Sequence, residues 1–453
     1  MPGSRRGSDG GGAGPARTRT AIVEHGLASF RERMYEGTHV YPTVIIPTFW
    51  TRPRSRAARR SASSFDHPTP LGQPGTLPDC LHSLEGVVGL GRVVVIVVAA
   101  DASIEHAAED QVRQIVDEVH GIDALVFGSA EMGSVHRRLE QLEFADILAG
   151  VNPGSYGGVR NVGLLLAAVL GSDAVVFLDD DEVVTGPDFM ERAMEGLGAP
   201  LAAGGRPVLA KSGHYVDENG SYRVADARRL SDMFWRQDEF YNRAVAALAA
   251  PPRIRPGTLA FGGCFALHRH MYCNVPFDPW AVRGEDIDYV INARMHGGDV
   301  FLDSGWSVVH RPPAVPSAAA LFKQDVFRFV YTHRKLEFAK SQVDLRQVSA
   351  ESLMPYPGRF VDSSINWRAR VTALLRAISG PERGAYLAVA RSALPEAQRY
   401  ARESCERYFA FQRRWPMLTD RVWEDVALKS LFTGERRVDR GAITGRFPVI
   451  RAE

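Results

Sequence analysis

The stretch AVVFLDDDE, residues 174–182, sets an apolar run directly against three aspartates and a glutamate. The apolar run has the length and composition of a buried strand. Side chains two apart in extended backbone project to the same side, so Asp179 and Asp181 can face one site while Asp180 points away. Carboxylates held that close repel one another unless a cation or hydrogen-bond donors compensate. Mg²⁺ or Mn²⁺ is one such cation, and an acidic turn or helix N-cap explains the triplet equally well.

Apolar runs on either side of this stretch predict an alternation of strands and helices. We expect strands at 41–49, 92–101 and 124–129 and helices at 105–119 and 164–170. This order implies a mainly parallel sheet with helices on both faces, an α/β fold. Ligands of such sheets bind at the carboxyl ends of the strands, which is where the three aspartates fall.

Composition shifts divide the chain into three parts. Residues 1–20 are rich in Gly, Ser and Arg and predict a disordered tail. The sheet domain is expected to span 39–315, and helical periodicity predicts a helical C-terminal region over 316–453. A basic, Pro- and Ser-rich loop at 51–75 interrupts the first part of the sheet domain, and we expect it to be solvated.

The overall composition is that of a globular protein. Hydrophobic residues make up 45% of the 453 residues, and 54 Lys and Arg stand against 53 Asp and Glu, so charge gives no indication of a nucleic-acid partner. The longest apolar stretch, 93–100, is far short of the roughly 20 residues of a transmembrane helix. With no apolar signal region at the N-terminus, a cytoplasmic location is expected. The four cysteines form no metal-binding spacing and predict reduced, mostly buried thiols.

A glycine-rich stretch, PGSYGGVRNVG at 153–163, precedes one of the expected helices. Its glycines permit close backbone approach, and a helix N-terminus there offers N–H groups to an anion. Arg160 could add a bidentate contact to a phosphate. Neither the Walker loop nor the GxGxxG spacing is present, and a simple turn into a helix also accounts for the stretch.

Two further motifs could carry chemistry. In RGEDIDY, 283–289, Glu285 and Asp286 stand at an expected helix start, where they either favour the helix dipole or supply a general base. His310, at the end of a strand-like run, is either a metal ligand or a hydrogen-bonded strand-end histidine.

Taken together and in this order, the motifs resemble nucleotide-sugar-dependent glycosyltransferases of the GT-A fold, especially the large inverting family with DxD and ED motifs (glycosyltransferase family 2-like). The resemblance covers residues 43–310. Its parts are VIIPTF, GGVRNVG, VVFLDDDEV, GGCFALHR, FD, GED and a final histidine. It implies a nucleotide-diphospho-sugar transferase fold with a C-terminal helical extension.

The resemblance also implies roles for individual residues. Asp181 and His310 would bind Mn²⁺ or Mg²⁺ against the donor diphosphate, Asp286 would be the catalytic base, and Glu285 would help to shape the donor and acceptor sites. The implied donor site comprises Pro47, Thr48, Asp101, Arg160, Asn161, Asp179, Asp180, Gly262 and Gly263. Within it Asp179 would lie near the ribose and Arg160 and Asn161 beside the nucleotide, whereas we expect Asp180 to tolerate substitution.

One departure from the family pattern concerns recognition of the base. Relatives usually end the second strand with two acids, whereas this chain has Ala100 and then Asp101. We expect Asp101 to take over the contact, which leaves the choice among UDP, GDP and dTDP sugars open.

The sequence thus predicts transfer of a hexosyl group from a nucleotide sugar to a hydroxyl acceptor, with inversion. A retaining GT-A enzyme, a nucleotidyltransferase acting on sugar phosphates and a non-catalytic binding protein are the alternatives. The aromatic C-terminal helices are expected to pack on the sheet domain, and a homodimer interface is the second interpretation.

Overall fold

The computed structural model describes residues 41–53, 65, 68–201, 205–226, 229–312 and 317–433. The expected tail at 1–20 and much of the basic loop lie outside the described residues. Within the described residues, no helix is both long enough and apolar enough to cross a membrane.

A ten-stranded mixed sheet forms the centre of the structure. Its strands are β1 (Pro42–Thr51), β2 (Thr69–Pro70), β3 (Arg92–Ala99), β4 (Ala124–Phe127), β5 (Ala174–Phe177), β6 (Glu182–Val183), β7 (Ala210–Val216), β8 (Ile254–Pro256), β9 (Phe265–His268) and β10 (Val300–His310). The order is β4-β3-β1-β5-β9-β7-β10-β6, with β2 beside β1 and β8 beside β10. Strands β4, β3, β1 and β5 are parallel, and β9 runs antiparallel to both of its neighbours.

Helices cover the sheet and continue beyond it. They are α1 (Leu77–Ser83), α2 (Glu105–Glu118), α3 (Ser129–Gln141), α4 (Tyr156–Leu170), α5 (Phe189–Met194), α6 (Gln237–Val245), α7 (Arg269–Tyr272), α8 (Glu285–Met295), α9 (Ala318–Ala339), α10 (Ile365–Ser379), α11 (Arg383–Ala388), α12 (Leu394–Trp423) and α13 (Val426–Thr433). The expected α/β fold with a mainly parallel mixed sheet and a C-terminal helical region is confirmed. The exact domain boundary stays a prediction.

Strand β5 lies at the centre of the sheet and explains the apolar run that precedes the aspartates. Its residues Val175 and Val176 have no exposed surface, because β1 and β9 flank them and helices cover both faces. Buried central strands read as continuous apolar runs, so the sequence pattern and the position agree.

The register of these strands brings separate motifs to one edge. Phe177 is paired with Ile45 of β1 and with Phe265 of β9. Three residues after Phe177 and Ile45 the backbone reaches Asp180 and Thr48. Because β9 is antiparallel, the corresponding residue on its side is Gly262, three residues before Phe265. These segments therefore meet beyond the end of β5.

The start of α4 differs from the expectation. The glycine-rich stretch is not a loop before a helix: Ser155 caps the helix by accepting a hydrogen bond from Gly158 N, and Arg160 lies within the helix. A side chain at Gly157 would overlap the carbonyl of Asp278. Tight packing, rather than a phosphate loop, therefore accounts for this glycine.

The C-terminal helices pack on the sheet domain, as expected. Trp415 of α12 is fully buried and donates to the carbonyl of Tyr272 at 2.8 Å. Lys335 of α9 is fully buried and lies 2.7 Å from both Asp278 and Asp288. Because Asp288 belongs to α8, this ion cluster fixes the helix that carries the ED motif.

Cysteine placement follows the prediction of reduced thiols. All four are free. Cys80, Cys264 and Cys405 are buried and Cys273 is half-buried.

Candidate active site

The four acids after β5 form a tight turn at the sheet edge. The Asp179 N–H donates to Oε2 of Glu182 at 2.9 Å. Glu182 is fully buried, and burial together with the nearby charge of Asp179 raises its pKa well above the ordinary value. A Cβ on Gly263 would overlap the Glu182 carboxylate, so this approach requires a glycine.

Arg160 joins two motifs that are distant in sequence. Its side chain is 4% exposed, and its guanidinium lies 2.6 Å from Oδ1 of Asp179 and 3.5 Å from Oε1 of Glu285. The face of Phe177 lies beneath it, 4.9 Å from the guanidinium carbon. Burial opposes the charged form, but the two carboxylates outweigh burial and raise the pKa of Arg160. The aspartate turn and the ED motif therefore share one buried cation.

The ED motif begins α8 after a left-handed residue. Gly284 has φ +68°, and a Cβ there would lie 2.5 Å from the guanidinium carbon of Arg328. Burial, reinforced by Asp286, raises the pKa of Glu285 to about 7. Burial also raises the pKa of Asp286, and Arg328 opposes that rise.

Backbone donors fix the Asp286 carboxylate. Its Oδ2 accepts from Gly262 N at 3.2 Å, and its Oδ1 accepts from Ile287 N at 2.7 Å. Hydrogen bonds to the ionised form keep it available as a proton acceptor despite burial. Gly262 and Gly263 both donate backbone hydrogen bonds here, to Asp286 and to the Tyr215 hydroxyl, and their part in a donor site stays a prediction.

Asp181 and His310 form the pair expected to hold a metal. Pairing of β10 with β6 sets His310 opposite Glu182, and His310 Nε2 lies 3.4 Å from Asp181 Oδ2. The Tyr215 ring stacks on His310 with centroids 4.6 Å apart, and its hydroxyl accepts from Gly263 N at 2.8 Å.

The pair fits a small divalent cation that keeps open positions. Adjacent ligands of an octahedral ion at about 2.1 Å lie about 3 Å apart, close to the distance between Asp181 Oδ2 and His310 Nε2. Across the described residues, no group of three or more His, Cys, Asp or Glu side chains is arranged to hold a metal. Mg²⁺ and Mn²⁺ accept two protein ligands when phosphate and water oxygens complete the shell. Oε1 of Glu182, in the same turn, is buried and has no hydrogen-bond partner among the described residues.

Asp180 is more constrained than the sequence suggested. Its Oδ2 accepts from Thr48 Oγ1 at 2.6 Å, whereas Asp179 contacts Arg160 and Asp181 lies beside His310. Burial raises the pKa of Asp180 to about 8, and the bond from Thr48 opposes the rise. Thr48 has no exposed surface and Pro47 is buried, so both support the turn from within β1. A carboxyl group held in this way is not expected to tolerate change freely.

Asn161 and Asp101 occupy different parts of the surroundings. Asn161 has no exposed surface, and its amide bonds the carbonyl of Gly150 and both backbone groups of Phe277, so it holds two loops behind the site. Asp101 is exposed at the end of β3. Hydrogen bonds from Ser103 and Arg52 lower its pKa to about 2. Its contact with a base stays a prediction.

Sequence reasoning missed two residues that shape the site. Tyr215 lies in a strand, β7, that carries no motif. Arg328 lies on α9, in the helical region, and only its approach to Gly284 in three dimensions reveals it. Two rings hold it, with Phe329 and Tyr356 centroids 4.9 and 5.9 Å from its guanidinium carbon. No local pattern marks either residue.

Comparison with known proteins gives structural neighbours only. No family model and no curated protein matches the sequence. A mannosyltransferase from Pyrobaculum calidifontis, solved with GDP-mannose and Mn²⁺, is 15% identical, covers 93% of this chain and 99% of its own, and has a TM-score of 0.41. Glucosyl-3-phosphoglycerate synthase from Mycobacterium tuberculosis, solved with Mg²⁺ and UDP, is 15% identical, covers 66% of this chain and 80% of its own, and has a TM-score of 0.36.

A third neighbour is GalNAc-T7, solved with UDP, GalNAc and Mn²⁺. It is 12% identical, covers 73% of this chain and 56% of its own, and has a TM-score of 0.34. Each of the three was solved with a nucleotide or nucleotide sugar and a divalent metal. Since every TM-score lies below 0.5, a functional assignment has to rest on the site itself.

Proposed function

We propose that the protein is a metal-dependent glycosyltransferase that moves a hexosyl group from a UDP, GDP or dTDP sugar to a hydroxyl acceptor with inversion. The observation that carries the proposal is the bridge made by Arg160. Its guanidinium contacts Asp179 and Glu285, so the turn that suits a diphosphate and a metal lies beside the ED motif, whose Asp286 suits a base.

The two halves of the site have complementary chemistry. On one side, Asp181 and His310 would hold Mn²⁺ or Mg²⁺, which stabilises the negative charge that develops on a departing nucleoside diphosphate. On the other side, Asp286 accepts the proton of the acceptor hydroxyl as the oxygen attacks the anomeric carbon. Attack by the acceptor opposite to the leaving group inverts the anomeric configuration and needs one base.

The surrounding residues prepare Asp286 for this task. Burial brings its pKa up from the ordinary range, which strengthens it as a base, while Gly262 N and Arg328 keep the ionised form accessible. Glu285, whose pKa lies at about 7, shares Arg160 with Asp179 and so fixes the end of α8 against the donor side.

Donor hydrolysis and transfer assays test the two halves separately. Asp181→Ala is expected to abolish Mn²⁺-dependent hydrolysis of the donor sugar, and Asp286→Asn is expected to reduce transfer by about 10²- to 10⁴-fold while nucleotide affinity is retained. Wild-type turnover in either variant would contradict the assigned site. An exposed acid far from the site, Glu351, supplies the matched control Glu351→Gln.

The stereochemistry of the product tests inversion. NMR of the product linkage is expected to show an anomeric configuration opposite to that of the donor. Retention would exclude the base role of Asp286 and favour the retaining alternative. Release of pyrophosphate from a labelled nucleoside triphosphate and a sugar phosphate would instead favour a nucleotidyltransferase.

A further inference from the structure

Helix α10 presents large apolar side chains to solvent. Trp367 is 49% exposed, Leu374 is 42% exposed and Ile378 is 73% exposed, and all lie along one stripe of the helix. The opposite, buried face carries mainly small or polar residues, among them Ala369 and Thr372. This is the reverse of the usual surface helix, in which large apolar residues face the core.

A neighbouring turn extends this apolar stripe. Leu230 is 89% exposed and Met233 is 56% exposed. The turn is fixed on α10 because the Phe234 ring packs edge-on against Trp367, with centroids 5.4 Å apart, and Arg376 pairs with Asp232 at 2.7 Å. Leu230, Met233, Trp367, Leu374 and Ile378 together are called the apolar face below.

A cationic cavity opens on the apolar face. It has a volume of about 160 Å³ and is lined by aromatic rings and three guanidinium groups. The main lining residues are Phe234, Phe240, Trp367, Arg236, Arg359 and Arg368. Such a lining suits a ligand that combines negative charge with apolar bulk.

Arg368 is the strongest indication that this ligand is an anion. The residue is 2% exposed, and its guanidinium donates to the carbonyls of Phe234 and Arg359. No carboxylate of the described residues lies within ion-pair distance of it, whereas Arg236 pairs with Glu239 at 2.8 Å. Burial, with the like charge of Arg359, lowers the pKa of Arg368 to about 10, and the charge of Asp362 opposes this shift only in part. A buried cation that no carboxylate contacts is costly, and an anion in the cavity would supply that contact.

The surroundings of the cavity are positively charged as a whole. Residues 229–245 and 359–379, which include every lining residue, carry seven arginines against four acids, although the entire chain is almost neutral at +1. Two copies of this chain that met through the apolar face would bring these arginines together, which disfavours a symmetric dimer. An anionic partner has the complementary charge.

We propose that the apolar face and its cavity dock the protein on a membrane surface rich in anionic phospholipid. A lipid phosphate occupies the arginine cavity, and Trp367, Leu374 and Ile378 enter the boundary between headgroups and acyl chains. Tryptophan favours that boundary, and basic residues strengthen adhesion to anionic lipid. This inference does not depend on the glycosyltransferase assignment.

Sedimentation with lipid vesicles tests the proposal on the full chain. The protein is expected to bind vesicles of phosphatidylcholine mixed with phosphatidylglycerol, to bind pure phosphatidylcholine much more weakly, and to dissociate at high salt. The double variant Trp367→Ser/Ile378→Ser should bind the mixed vesicles at least about tenfold more weakly. Arg370→Gln, an exposed arginine on α10, should reduce binding about fivefold.

Matched variants separate docking from loss of folding. Val343→Ser, at a fully exposed apolar position on another loop, and Arg137→Gln, an exposed arginine on α3, should bind as the wild type does. Arg368→Met should lose the preference for anionic vesicles. The substitutions at exposed positions should leave the thermal unfolding midpoint unchanged. Equal binding to both kinds of vesicle, or wild-type binding by the double serine variant, would overturn the proposal. So would light scattering that shows a dimer dissociated by the same two substitutions.

Discussion

Replacing Lys335 by methionine removes the cation that joins the C-terminal helices to α8. The Nζ atom has no exposed surface, lies 2.7 Å from Asp278 and 2.7 Å from Asp288, and stands 3.8 Å from the Tyr408 ring centroid. Methionine fills most of the volume but leaves two carboxylates buried with no cation between them. Breaking a buried ion pair from one side costs about 3–5 kcal/mol of the free energy of unfolding.

The pH dependence of this loss gives a second, independent readout. Burial raises the pKa of Asp288 and Lys335 opposes the rise, so the folded-state pKa climbs further once the lysine is gone. A carboxyl group with a raised folded-state pKa binds more protons when folded, and stability therefore falls as pH rises through and above its unfolded value near 4. Lys335→Met should thus lose less stability at mildly acidic pH than at alkaline pH. The wild type, in which the pKa of Asp288 is raised less, should show a weaker dependence of the same sign.

Urea unfolding followed by tryptophan fluorescence measures both quantities. Adding Asp288→Asn to Lys335→Met should recover part of the lost stability, because one of the two uncompensated charges is removed. Lys340→Met, which removes an exposed lysine paired with Glu337, should change stability by less than about 0.5 kcal/mol. A loss below about 1 kcal/mol in Lys335→Met, or a loss that neither pH nor Asp288→Asn alters, would refute the reasoning.

Three further substitutions have defined outcomes. Gly284→Ala places a methyl group at a φ of +68° and against Arg328, so the transfer rate should fall while donor binding persists. The control Gly384→Ala has nothing within 4 Å of the added methyl and should be neutral. Equal transfer rates in the two variants would argue against the strained turn. Thr48→Val removes the hydrogen bond to Asp180 and should lower the free energy of unfolding in urea by about 1–3 kcal/mol. An unchanged urea midpoint would show that this hydrogen bond does not stabilise the fold. Arg138 lowers the pKa of Asp425, so the pair stabilises the fold above the unfolded pKa near 4 and loses this effect as pH falls through the folded-state pKa. Asp425→Asn should therefore make the thermal unfolding midpoint less dependent on pH in that acid range. A pH profile like that of the wild type would contradict this prediction.

The sheet and the start of α8 could be predicted because local pattern and tertiary position agree there. Strands β1, β3 and β5 are buried on both faces, which makes their sequences continuously apolar. At α8, Glu285 and Asp286 follow a glycine and favour the helix dipole, so the motif marks the helix start as well as the site.

Other features depend on contacts that no local pattern contains. Glycines at 157 and 158 suggest a loop, yet α4 begins at Tyr156 with Ser155 as its cap, and the carbonyl of Asp278 packs against Gly157. Arg328 reaches Gly284 from a helix that begins more than 30 residues later, and the Thr48 bond to Asp180 follows from strand register. Strand alternation could not show what Asp180 contacts, because the backbone turns immediately after β5.

The guanidinium of Arg160 makes the two halves of the site thermodynamically linked. When a ligand displaces Asp179 from Arg160, the guanidinium charge acts more strongly on Glu285 and favours its ionisation. Because linkage is reciprocal, ionisation of Glu285 changes the affinity for that ligand by the same free energy. Proton uptake or release should therefore accompany nucleotide binding. One buried arginine thus couples the protonation state of Glu285 to the occupancy of the neighbouring aspartate turn.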